Sequence, residues 1–167
     1  VDNDPEFPRP GNMVFTNIKV PNVDFTSDFV NVRMVMSKNH VLTVYINEKQ
    51  ALSHDFGSGI PYKPGYVGLL SWQAKAQFKN LKATANIDVP EVEDNFNTNL
   101  GDLDYLSGSW MRTEDGLVAT GGGDNFATSK IQAENFIFEA TITDNNPEQE
   151  GDRAGSLVFR VQDPKKP

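Results

Sequence analysis

Phe29 to Asn47 reads FVNVRMVMSKNHVLTVYIN, and its alternation decides the fold class. Successive side chains of a strand point to opposite faces. Val30, Val32, Met34 and Met36 therefore share one face, with Asn31 and Arg33 on the other. Leu42, Val44 and Ile46 are set in the same way against Thr43, Tyr45 and Asn47. Lys38-Asn39-His40 between them is short and polar, so the pair reads as a β-hairpin. Working outward, Met13–Val20, Gly65–Trp72, Ala76–Thr84, Gly116–Thr120, Asn135–Thr143 and Ser156–Gln162 are further candidate strands. No window carries a helical 3.6-residue period. Short strands broken by Gly, Pro, Asn and Asp predict an all-β, two-sheet antiparallel sandwich.

The 167 residues suit one domain or two small ones, and eleven Phe within a 38% apolar composition can furnish a core. The lack of Cys excludes disulfides, thiolate metal sites and a Cys nucleophile. A formal charge of −8 argues against nucleic acid, which calls for a basic face. No apolar run approaches the ~18 residues of a membrane span. The start, VDNDPEFPRPG, has neither the basic nor the apolar region of a signal peptide and reads as an internal stretch of a longer chain.

Charge is unevenly spread. Residues 1–88 hold nine Lys+Arg against eight Asp+Glu, whereas residues 89–167 hold six against fifteen. The change falls at an acidic, Pro-containing stretch, Asp88 to Asp94 (DVPEVED), which reads as a linker. Three parts follow: 1–88, a linker at 89–94, and 95–167. Each flank is thin for an independent sandwich, so either two small units lie side by side or two halves complete one another.

Few residues suit catalysis. His40 and His54 lie in a hairpin turn and a loop, and both read as structural. Phe56-Gly57-Ser58-Gly59 is a turn, not a nucleophile elbow. Gly121-Gly122-Gly123 is followed by Asp-Asn-Phe rather than by a phosphate-binding Lys and a helix, so it reads as a flexible turn. Glycoside hydrolysis needs two carboxylates at a set separation, and no E-x-D-x-x-E strand occurs.

Binding chemistry has more material. In Asn135–Thr143 the alternation turns Phe136, Phe138, Ala140 and Ile142 inward and Glu139 outward. In Ser156–Gln162 it turns Leu157, Phe159 and Val161 inward and Arg160 outward. Glu139 and Arg160 are thus expected on one non-core face. A charged pair beside aromatic rings suits a sugar, whose hydroxyls take polar contacts while its C–H faces stack on rings. Trp72, on the face of Tyr66, and Trp110 supply rings. Each also has a plainer reading: a cross-strand ion pair for Glu139 and Arg160, and core packing for the tryptophans. The loop Thr143–Asp152 is rich in oxygen ligands, and a structural calcium at Asp144 and Asp152 stands as an alternative to a solvated loop.

Two stretches carry a resemblance. Tyr62–Lys82 (YKPGYVGLLSWQAKAQFKNLK), preceded by Val44–Asn47 (VYIN), resembles the closing segment of fructan-binding carbohydrate-binding modules of family sixty-six. There a Y-x-x-G-x-x-G-L turn and strand precede an A-x-F-x-N strand. Ser109–Gln162, with SWMRTEDGL, NFIFEATIT and AGSLVFRVQ, is similar to the opening half of that module. The resemblance implies a concanavalin- or laminin-G-like jelly roll with its halves in permuted order. One complete sandwich is then expected, with Val1 near Pro167, cut from a tandem array or circularly permuted. It further implies binding of levan- or inulin-type fructan or fructo-oligosaccharide, with Arg160 and Glu139 as matches to A-G-x-L-V-F-R and F-x-E-A. The setting would be an extracellular or cell-wall-associated bacterial fructanase with neighbouring modules. A laminin-G-type adhesion domain and a jelly-roll glycoside hydrolase are the alternatives.

Overall fold

The computed structural model describes residues 23–24, 28–57, 63–85, 89–94, 103–145 and 154–162. The quoted hairpin is present as β1 (Val30–Met36) and β2 (Val41–Ile46), joined by a turn in which His40 N donates to Ser37 O at 3.0 Å. The apolar face goes inward: Val30, Met34, Met36, Leu42 and Ile46 are buried, and Val32 and Val44 pack against the same cluster. Ten further strands are described: β3 (Lys49–Asp55), β4 (Gly65–Trp72), β5 (Ala76–Ala85), β6 (Val89–Asp94), β7 (Leu103–Ser107), β8 (Trp110–Thr113), β9 (Gly116–Ala119), β10 (Asp124–Ala133), β11 (Phe136–Asp144) and β12 (Ala154–Val161).

They form an all-β sandwich of two antiparallel sheets. The larger runs β3-β2-β1-β11-β5-β9-β8, with β6 also on β5; the smaller runs β12-β4-β10-β7. Strands from before and after residues 89–94 interleave in both sheets. β11 lies between β1 and β5, and β4 lies between β12 and β10. Residues 89–94, read as a linker, are themselves strand β6, paired with β5 from Leu81 to Ala85. The reason is geometric. β9 engages only Gln77 and Phe78 of β5, which leaves the rest of that edge open to β6. Met13–Val20 and both chain ends lie outside the described residues, so the expected proximity of Val1 and Pro167 does too. Among the described residues, no helix is long and apolar enough to cross a membrane.

Phe78, Phe136, Phe138, Met36, Leu69 and Leu117 fill the space between the sheets, all below 2% exposed. Burying each large side chain contributes roughly 1.5–3 kcal/mol. The sheets pack tightly at Gly155 on β12. A Cβ there would lie 2.7 Å from the Ala76 Cβ and 3.1 Å from the Ile142 Cγ2. β5 keeps Phe78, Leu81 and Ala83 all inward because a bulge at Asn80 (φ 53) resets the alternation between them. Asn tolerates that left-handed backbone better than most residues.

Candidate functional site

The connection from β4 to β5, Gln73-Ala74-Lys75, faces the loop Gly121-Gly122-Gly123 between β9 and β10. Together these residues line an open cleft of about 320 Å³, at the small end of ligand pockets. Two local devices shape the first wall. Ser71 Oγ donates to Ala74 O at 2.8 Å, and Gln73 takes a left-handed φ of 51° to turn the chain. Gln73 N donates to Gly123 O at 3.3 Å, tying the two walls together.

The glycine loop is not a free turn. Asn125, at the second position of β10 and fully buried, holds it from beneath. Its Nδ2 donates to Gly121 O and to Gly123 O, each at 3.1 Å, and more distantly to Ser71 O at 3.4 Å. Its Oδ1 accepts from Ser109 N at 2.9 Å. The fit is close on the β7–β8 side, where Gly108 has a φ of 78° and an added Cβ would sit 2.2 Å from that Oδ1. A Cβ at Gly122 or Gly123 would meet nothing, so the loop's outer side is open. Spacing alone gave Gly121–Gly123 no role. The signal for one was the Asn two residues after the run, since short amide side chains bond nearby loop backbone.

Trp72 ends β4 beside this cleft and is 41% exposed. It lies on the outer face of the smaller sheet, opposite Asp124 and Ala154. Trp72 directly precedes the Gln73-Ala74-Lys75 wall in sequence, and its exposed indole offers a flat apolar surface of the kind that sugar-binding sites use. Trp110 opens β8 at the same end and packs against the core. Its ring lies 6.1 Å from Phe78 and 5.9 Å from Tyr105, and its Nε1 donates to Ser107 O at 3.0 Å. It seals the β7–β8 edge of the core.

The remaining candidates lie elsewhere. Tyr66 stands at the opposite end of β4, about 20 Å from Trp72 at the rise of an extended strand, opposite Gln132 and Val161. Arg160 is at that same far end. Glu139 is on neither end but on the outer face of the larger sheet, opposite Arg33 and Lys82, with its Oε1 accepting from Asn31 Nδ2 at 2.6 Å. The expectation that Glu139 and Arg160 share a face is therefore corrected. β11 and β12 belong to different sheets, so two outward-facing residues look in different directions. A bulge between Val158 and Val161 further redirects Arg160, which has a φ of 56°. Its Nη2 lies 3.2 Å from His40 Nδ1, and its guanidinium carbon is 5.7 Å from the Phe56 ring centre.

Asp144, proposed as a calcium ligand, ends β11 opposite Ala76, while Asp152 lies outside the described residues. Among the described residues no three His, Asp or Glu are grouped closely enough to hold a metal ion. No family model matches the chain, and comparison with curated proteins returns no match.

Proposed function

We propose that this chain is a non-catalytic carbohydrate-binding module, that its ligand is a fructan of levan or inulin type, and that the Trp72 cleft receives it. The observation carrying this reading is the exposed Trp72 indole beside a cleft whose glycine wall is fixed from below by Asn125. A preorganised polar wall lowers the ordering cost of binding, and an aromatic platform supplies apolar contact to the C–H faces of sugar rings. The choice of fructan rests on the sequence resemblance. In that setting the module tethers an attached glycoside hydrolase to its substrate outside the cell. Repeated weak sites in neighbouring modules would raise avidity through effective concentration.

Calorimetric titration of levan, inulin and sucrose into the intact chain tests the reading. Heat with at least one fructan, and no release of reducing sugar on prolonged incubation, is the expected result. No heat with any fructan removes the ligand assignment. Release of reducing sugar would place the chain among the glycoside hydrolases instead.

A further inference from the structure

We propose, on the carbohydrate reading of the Trp72 cleft, that Asp124 is the hydroxyl-accepting residue of that site and sets its charge preference. The site then takes uncharged sugars with hydroxyls on adjacent carbons and rejects sugars that carry carboxylate or sulfate groups.

β10 leaves the glycine loop at Asp124, which stands directly opposite Trp72 in the antiparallel pairing with β4. Residues so paired share a face, with Cβ atoms roughly 4.5–5.5 Å apart. The face here is the outer one, and both residues are exposed on it. Ala154 flanks Trp72 in β12, so of its two cross-strand neighbours only Asp124 is charged. Lys75, the cation among the cleft-lining residues, belongs to the connection beyond Trp72 and is not paired with it.

The Asp124 backbone is held on both sides. Its carbonyl oxygen accepts from Ser107 Oγ at 3.0 Å, and the carbonyl oxygen before it, on Gly123, accepts from Asn125 Nδ2 at 3.1 Å. The carboxylate, by contrast, has no hydrogen-bond or ion-pair partner among the described residues. Asp55 differs, because its carboxylate accepts from Gly57 N at 2.7 Å and is engaged in its own turn. An ionised carboxylate offers two acceptor oxygens and no donor. Two hydroxyls on adjacent sugar carbons can each donate to one of them while the C–H face of the ring lies on the indole. A carboxylate or sulfate on the sugar at that position meets a like charge instead.

Calorimetric titration of levan and inulin, and of their carboxymethylated forms, into the intact chain, Asp124→Asn and Trp72→Ala tests the assignment. The intact chain should bind an unmodified fructan roughly tenfold or more tightly than its carboxymethylated form. Asp124→Asn should weaken the unmodified ligand about tenfold, the scale of one charge-assisted hydrogen bond, and close most of the gap between the two forms. Its Tm should match that of the intact chain, because the replaced carboxylate holds no described part of the fold. Trp72→Ala should weaken both forms alike. Equal binding of the two forms by the intact chain, or unchanged affinity and selectivity in Asp124→Asn, overturns the assignment and leaves the carbohydrate reading standing. Heat from none of the ligands with the intact chain overturns both.

Discussion

Replacing Asn125 by alanine should lower stability by about 3 kcal/mol, because buried polar groups left without partners cost roughly 1–3 kcal/mol each. The side chain is fully buried and serves the Gly121 and Gly123 carbonyls and the Ser109 amide at once. The alanine methyl satisfies none of them, and only the outer side of the loop can recruit water. For a chain of this size the loss corresponds to a fall in Tm of about 6–12 °C. Asn125→Asp keeps the shape but turns the donating amide into a carboxylate aimed at two carbonyl oxygens, so a comparable fall is expected. Thermal unfolding followed by circular dichroism reads both. A shift below about 2 °C in either variant, well under what one lost buried bond gives, would mean that the loop is held by something other than Asn125.

Phe78→Ala should cost about 3–5 kcal/mol, the usual range for emptying a phenylalanine site in a packed core. The ring has no exposed surface and sits on β5, behind Trp110 at 6.1 Å and beside the site of Gly155. Its neighbours cannot collapse inward easily. Gly155 offers no side chain, and Trp110 is anchored by its bond to Ser107 O. The two tryptophans supply an internal control. Trp110 borders the cavity and should shift its fluorescence, while the exposed Trp72 keeps its environment. Denaturant unfolding gives the stability change. A loss of less than about 1 kcal/mol, no more than a conservative core change, would contradict the core assignment.

Most strands legible in the sequence carry large apolar residues at every second position; Ala76–Thr84 and Gly116–Thr120, which match β5 and β9, were legible as well. β1, β2, β4, β11 and β12 all carry Val, Leu, Ile, Met or Phe on the inner face, and their bounds follow the alternation within a residue or two. The strands that escaped notice lack that contrast. β3, KQALSHD, is an edge strand with no fully buried position. β10 buries Asn125, Thr128 and Ser129, polar residues whose burial only the finished sheet explains. β6 is acidic and contains Pro90, yet pairs because β5 has an unfilled edge.

The site was less legible than the fold, for a related reason. Alternation tells whether a residue faces the core, but sheet membership is set by pairing across the whole chain. Glu139 and Arg160 both alternate with core residues and still end on different sheets. Trp72 could be recognised as an aromatic that shares one face of β4 with Tyr66, but not as exposed. The cleft beside it is lined by Gln73, Ala74, Lys75 and the glycine loop, from two connections more than forty residues apart in sequence that the pairing of β4 with β10 brings together.

Under the proposed function, ligand binding belongs to the Trp72 end of the sandwich and not to the Arg160 end. One calorimetric experiment, titrating levan and inulin into the intact chain, Trp72→Ala and Arg160→Ala at neutral pH, tests it most directly. Loss of a central aromatic contact is worth about 2 kcal/mol or more, so Trp72→Ala should weaken binding roughly thirtyfold. Arg160→Ala should bind as the intact chain does. Undiminished affinity in Trp72→Ala, or a loss confined to Arg160→Ala, would mean that the ligand does not bind beside Trp72.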